Sequence, residues 1–372
     1  MTLLPAPRSA RLIVRRTWFL AIALLLPAAA EPGPPRAPIA DDPPSGLVAV
    51  IEDKPQKGGP LDLRALNNPN VSGAALQIHW SELEPVEGKP DWSKLDDLFA
   101  AAEKTKKWVQ LLIFPGFFSP AWALEGVKTE QFPIPYGPGQ GTVMSLPMPW
   151  NPVYLNRWSA FLKQLGERYG KSPAFRMIGA AGPTSVSVEM TLPRDPEKWR
   201  SDGYTASKYT EAWQHVFQVY ASDFPNQFIS LSVGNALNLN DQGRVLPNEG
   251  NRVRQVIIDQ AMGLLGRRFV LQNSDLHAGP ENQQPVTGFV MDYSGRVITG
   301  LQMKCAAELG TCSAALGAAG HPPQALRKSI DKGMQPNRAG QHVSYLEIYE
   351  ADVLQVENQP ALRYAVSLFT AK

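Results

Sequence analysis

Two glutamates stand in settings where a carboxyl group can do chemistry. In Val343-Ser344-Tyr345-Leu346-Glu347-Ile348-Tyr349, the apolar Leu346 and Ile348 alternate with Tyr345, Glu347 and Tyr349, and a period-2 strand sends the two sets to opposite faces. If the apolar set meets a layer of helices, Glu347 points inward, where a carboxyl needs a partner or a task. The second acid is Glu189, in Ser185-Val186-Ser187-Val188-Glu189-Met190. One protonated and one ionised carboxyl are the minimal equipment for paired acid and base work. At the ends of other apolar runs come His79, Trp80, Trp122, Asn235, Asn273, Gln302 and Tyr349. Flat aromatic faces ringed by amides suit polyhydroxylated rings, with stacking on one side and hydroxyl contacts around it. The plainer readings are aromatics packed under loops, a Glu347 salt-bridged to Lys304 or an arginine, and a Glu189 exposed on a loop.

Those residues need elements to hold them. Eight strand-like runs follow one another: Leu47 to Glu52, Gly73 to Trp80, Trp108 to Phe114, Phe175 to Ala180, Phe228 to Val233, Arg268 to Asn273, Val297 to Met303 and Val343 to Tyr349. Helical patterns separate them. Leu95, Leu98, Phe99 and Ala102 share a face after Asp91. Asn151-Pro152 opens a helix striped by Tyr154, Trp158, Phe161, Leu162 and Leu165, with Gly170 at its end. Thr205 to Tyr220 and Asn251 to Leu265 repeat the pattern, and shorter helices begin at Pro322 and Pro360. Parallel neighbours can be joined only by crossovers, and eight of them can close on themselves. The predicted fold is therefore a single-domain (β/α)8 TIM barrel over residues 46–372, with a long loop, Pro115 to Pro149, after the third strand. A doubly wound open sheet is the alternative. In a barrel the strands' C-terminal ends carry the site, which is where the residues above fall.

One segment adds a resemblance. His79-Trp80-Ser81-Glu82-Leu83-Glu84-Pro85-Val86-Glu87-Gly88-Lys89-Pro90-Asp91-Trp92 resembles the second-strand segment of the (β/α)8 glycoside hydrolase superfamily of the cellulase and β-galactosidase type. There a strand ends in Trp-Ser-x-x-Glu-Pro, followed by Gly and an Asp-Trp or Asp-Tyr pair. The resemblance implies a catalytic Asn-Glu after the fourth strand and a Glu ending the seventh. This chain has Ala181-Gly182-Pro183 at the first place, with Glu189 the next carboxyl, and Gln302 at the second, with Glu347 on the neighbouring strand. Gln77 stands where an inward Arg is expected on the second strand.

Glycoside hydrolysis needs an acid for the departing oxygen and a carboxylate that attacks the anomeric carbon or activates water. The expected roles are Glu189 for the first and Glu347 for the second. Asn235, Asn273 and Gln302 are expected to hold hydroxyls, with Trp80 and Trp122 stacking on sugar rings. The expected partner is an oligo- or polysaccharide, with no cofactor. The alternative is a non-catalytic saccharide-binding barrel, suggested by Gln302 and the missing Asn-Glu.

Composition narrows the remaining classes. The 372 residues are 44% hydrophobic and 19% charged, enough for a full core. Met1 to Ala30 hold four arginines and no acids; subtracting those four from the formal +2 leaves −2 for the remainder, which argues against phosphate-driven nucleic-acid binding. That leader has a basic segment, the apolar run Trp18 to Leu26 and small residues at Ala28-Ala29-Ala30, as in a signal peptide. Residues 31–45 carry six prolines and read as a linker. The mature chain is expected to be periplasmic or extracellular with no membrane span. Cys305 and Cys312 are then expected to form a local disulfide. Asp275-Leu276-His277 could give two metal ligands, but a third is not evident, so no metal is expected. Gly166 to Ser172 resembles a phosphate loop with one residue too few, at the wrong end of a helix.

Overall fold

The computed structural model describes Thr2 and residues 42–54, 59–137, 139–280 and 286–370. The leader assigned to residues 1–30 and most of the proline-rich linker lie outside the described residues. The strands are β1 (Gly46–Glu52), β2 (Gly73–His79), β3 (Trp108–Phe114), β4 (Thr129–Pro133), β5 (Val143–Pro147), β6 (Phe175–Gly179), β7 (Phe228–Ser232), β8 (Phe269–Leu276), β9 (Ile298–Met303) and β10 (Tyr345–Tyr349). Eight of them close into a parallel barrel in the order β1-β10-β9-β8-β7-β6-β3-β2. Closure removes the open-sheet alternative. The eight barrel strands are the eight apolar runs, read almost end to end: residues buried on both faces, as in a sheet covered by helices, leave continuous hydrophobic stretches.

Helices cover the barrel at Ser93–Thr105, Pro152–Tyr169, Ala206–Asp223, Glu249–Leu265, Pro322–Gly333 and Gln359–Thr370. Their starts follow local chemistry. The Asn151 side chain accepts from the backbone N–H groups of Val153 and Tyr154, with Pro152 at the position that needs no donor. Thr205 accepts from Lys208 N–H in the same way. The apolar stripes face the barrel: Trp158, Phe161 and Leu162 on one helix and Trp213, Val216 and Phe217 on another are fully buried.

The long loop after β3 is more structured than its sequence suggests. It holds a short helix, Ala121–Leu124, and an antiparallel hairpin of β4 and β5. Tyr136 lies between the hairpin strands and belongs to the site described below. A disulfide joins Cys305 and Cys312, just beyond β9, with Cα atoms 6.1 Å apart. Among the described residues no helix is long and apolar enough to cross a membrane.

Candidate active site at the open end of the barrel

The bore is filled in tiers by inward side chains. Register pairs Glu347 with both Val48 and Gln302, and Glu52 with Gln77, and paired residues of parallel neighbours face the same side. Lowest lies Tyr345, whose ring occupies the space over Gly300; a Cβ there would come within 1.9 Å of it. Above it is a polar belt. Gln110 Nε2 donates to Gln272 Oε1 at 3.0 Å and to Ser230 Oγ at 3.3 Å, Tyr345 OH donates to Gln272 Oε1 at 2.8 Å, and Gln272 Nε2 donates to Glu347 Oε2 at 2.8 Å. The next tier closes the belt from above: Gln77 Nε2 donates to Gln302 Oε1, and Gln302 Nε2 to Tyr349 OH, both at 3.1 Å.

Glu347 points inward, as strand alternation requires, but it lies beneath this floor and is 0% exposed. Burial pushes its carboxyl up to about 8, against the opposing hydrogen bonds of Gln272 and Gln110. A carboxyl so placed holds its proton at neutral pH and touches no substrate. The expected role of Glu347 as nucleophile or base is therefore corrected: its direction was right and its depth excludes it.

Above the floor the picture differs. Glu189 is half-buried and bridges to Ser232 at the top of β7. Tyr136 OH, from the hairpin, donates to Glu189 Oε2 at 2.9 Å. Burial raises the Glu189 pKa, Tyr136 lowers it, the charge of Asp275 raises it and Ser274 lowers it by hydrogen bonding. On a wall well separated from it, Glu52 ends β1 as the next inward residue after Val48 and Val50. It is half-buried, and burial raises its pKa with only the charge of Lys54 in opposition. Tyr349 lies at the floor, where Gln302 donates to its hydroxyl; burial and the charges of Glu52, Glu347 and Glu189 raise its hydroxyl pKa. All three carboxyls thus act on one hydroxyl at the barrel's open end.

Four other acids at this end pair with lysines, while Glu84 and Asp352 are held by N–H donors. Lys94 Nζ is 2.7 Å from Asp53 and 3.3 Å from Glu82, Lys54 Nζ is 2.9 Å from Glu350, and Lys304 Nζ is 2.8 Å from Asp275. Among the described residues Glu52 and Glu189 have no such partner. His79 also reaches the mouth, stacked on Phe118 with ring centroids 3.9 Å apart, and burial lowers its pKa so that it stays neutral at pH 7.

Several expected contacts do not survive. Trp80 is 0% exposed: the chain turns into the helix Trp80–Leu83 directly after β2 and carries the indole outward, against Trp122, Tyr154, Trp158 and Phe161, with its N–H on Glu84. It cannot stack on a sugar. Asn273 is 2% exposed and occupied, donating to Val233 O and accepting from Asp275 N–H and Thr287 OH, where the β8–β9 register shifts. It ties loops and holds no substrate hydroxyl. Gln302 forms the floor and is nearly buried. Trp122 donates its N–H to Glu84 O and is half-buried in the same aromatic cluster as Trp80. Asn235 is half-buried, 3.4 Å from Arg254. Tyr349 stays partly open at the mouth.

Sequence reasoning missed two residues. Tyr136 gave no signal, because its place depends on how the hairpin folds back over the barrel. Glu52 was reachable by the rule applied to Glu347, since it continues the inward set Val48, Val50. Among the described residues no group of three or more His, Cys, Asp or Glu could hold a metal ion.

No family model matches this sequence, and no curated protein is recognisably similar to it. Solved structures do share its shape. The catalytic domain of a β-amylase from Paenibacillus polymyxa superposes with a TM-score of 0.55 at 10% identity, covering 89% of this chain and 100% of that one. An exo-β-1,4-mannosidase from Opitutaceae bacterium strain TAV5 gives 0.50 at 12% identity, covering 88% of this chain and 60% of that one. At such identities the likeness establishes the (β/α)8 fold that glycoside hydrolases of these kinds use, and no more.

Proposed function

We propose that this chain is an exported glycoside hydrolase that cleaves an oligo- or polysaccharide at the open end of its barrel, with Glu189 as a working carboxyl. The observation that carries the reading is the Glu189 site itself. It is a half-buried carboxyl without a cationic partner at the C-terminal end of a barrel strand, held by a tyrosine from a separate hairpin. A carboxyl anchored this way needs no further role in folding, and it opens where barrels of this kind place their chemistry. The fold shared with a β-amylase and an exo-mannosidase supports the substrate class, as does the mixture of His79, Phe118, Tyr136 and Tyr349 around the mouth. Export rests on the leader and on a cysteine pair suited to an oxidising compartment.

Burial raises the Glu189 pKa overall, and the hydrogen bonds donated by Tyr136 and Ser274 oppose that rise in favour of the ionised form. On the strength of the hydrogen bond donated by Tyr136, the role proposed for it is the carboxylate's, attack on the anomeric carbon or activation of water, in place of the proton donation expected from its position in the sequence. Incubating the purified mature chain and its Glu189→Gln variant with α- and β-linked glycosides tests the reading. The expected result is product from the parent and a loss of about 10³-fold in the variant. The second reading, a saccharide-binding barrel without catalysis, is favoured by Gln302 where the related hydrolases carry a carboxylate. Calorimetric binding of a glycan with no product on long incubation would establish it.

A further inference from the structure

We propose that Glu52 is the second catalytic carboxyl of this site, the acid that protonates the departing glycosidic oxygen. The proposal rests on the hydrolase reading above and names the group that reading leaves unassigned once Glu347 is placed beneath the floor.

Glu189 lies in the segment after β6 and bridges to Ser232 at the end of β7, strands three and four places from β1 around a ring of eight, so Glu52 and Glu189 rise from well-separated walls. The bore is narrow enough for side chains of this length to meet: Gln110 on β3 reaches Gln272 on β8 at 3.0 Å, and Gln77 on β2 reaches Gln302 on β9 at 3.1 Å, each pair being three strands apart. One tier higher, Glu52 at the end of β1 and Glu189 beside the end of β7 both lie near enough to Tyr349 for their charges to bear on its hydroxyl. A glycosidic bond held between them over Tyr349 has one carboxyl on each side, which is the arrangement its hydrolysis requires.

Chemistry then separates the two. Glu189 accepts a hydrogen bond from Tyr136, which favours its anion. Glu52 accepts none among the described residues and forms no ion pair, whereas Glu350, Asp53 and Asp275 are paired with Lys54, Lys94 and Lys304; burial raises the Glu52 pKa against the charge of Lys54. An acid left out of such a pairing scheme, facing the bore, is disposed to keep its proton. In the reaction, the Glu52 O–H gives its proton to the glycosidic oxygen as the C1–O bond breaks and its electron pair passes to that oxygen. On the opposite face the new C1–O bond comes from the Glu189 carboxylate, or from a water whose proton Glu189 takes. One water is consumed overall in either case, and the products are a free reducing sugar and an alcohol.

The test compares leaving groups. Aryl glycosides that release dinitrophenolate need no proton, whereas methyl glycosides or natural oligosaccharides do. The expected result for Glu52→Gln is a loss of about 10³-fold in kcat/KM on the second class, little loss on the first, and disappearance of the alkaline limb of the pH profile. Circular dichroism checks that the variant folds, and Glu52→Asp, which keeps the acid but shortens its reach, should show a weaker form of the same leaving-group dependence. Equal activity of parent and Glu52→Gln on both classes overturns the proposal, and so does an equal loss on both. Turnover by the parent that only Glu189→Gln abolishes removes Glu52 and leaves the hydrolase reading standing. No turnover by the parent on any glycoside removes both.

Discussion

Two tiers of the same bore give the same residue type opposite fates. In the belt, Glu347 is enclosed by Gln110, Gln272 and Tyr345 and is fully buried. At the mouth, Glu189 and Glu52 are half-open, and the charges of both act on Tyr349. The belt behaves as core: its amides bond to one another and to Glu347, although among the described residues Gln110 Oε1 and Glu347 Oε1 stay without a hydrogen bond, and its carboxyl gives up its charge instead of seeking a cation. The mouth behaves as a site, with acids kept out of ion pairs and one of them held by a tyrosine. The difference teaches that in a barrel of this width depth decides what an inward carboxyl does, and that direction alone does not.

The sharpest way to break this contrast is to remove the ionisable group from the belt. The folded chain keeps the Glu347 proton up to about 8, while an unfolded chain releases it near 4.5. Folded protein therefore binds the proton more tightly, and stability falls as pH rises from about 4.5 through about 8, then levels off. Glu347→Gln removes that dependence. At pH 9 the variant is expected to exceed the parent by about 4 kcal/mol, with little difference at pH 4, as urea unfolding across pH would show. A smaller effect is expected from packing. Gly300→Ala drives a methyl group into the Tyr345 ring beneath the belt and should cost about 1–3 kcal/mol by the same measurement.

Smallest in free energy, and confined to the mouth, is Tyr136→Phe. Loss of its hydrogen bond raises the Glu189 pKa, so the acid limb of the pH–rate profile should move to higher pH while kcat falls about tenfold. Melting temperature should change little, because Tyr136 serves the site more than the fold. An unmoved limb would mean that the Tyr136 bond does not tune Glu189.

The scaffold was legible in the sequence because parallel strands buried on both sides leave unmistakable apolar runs, and because caps such as Asn151-Pro152 mark helix starts with local chemistry. Strand alternation also correctly sent Glu347 inward. Its height was not legible, since tier depends on the stagger between strands, which is a property of the closed barrel and not of any one segment. The same limit misplaced Trp80 and Asn273. Each ends a strand on paper, but the chain after β2 turns outward at Trp80, and the register shift in β8 draws Asn273 into its loops. Tyr136 required the tertiary fold of the hairpin. Glu52 was within reach of the alternation argument at the first strand.

The most direct test pairs Glu189→Gln with Glu347→Gln on one cleaved glycoside, with each variant's unfolding followed at pH 9. The first is expected to lose turnover by about 10³-fold at unchanged stability, and the second to keep its turnover and gain stability. Loss of turnover in Glu347→Gln with full activity in Glu189→Gln would contradict both assignments.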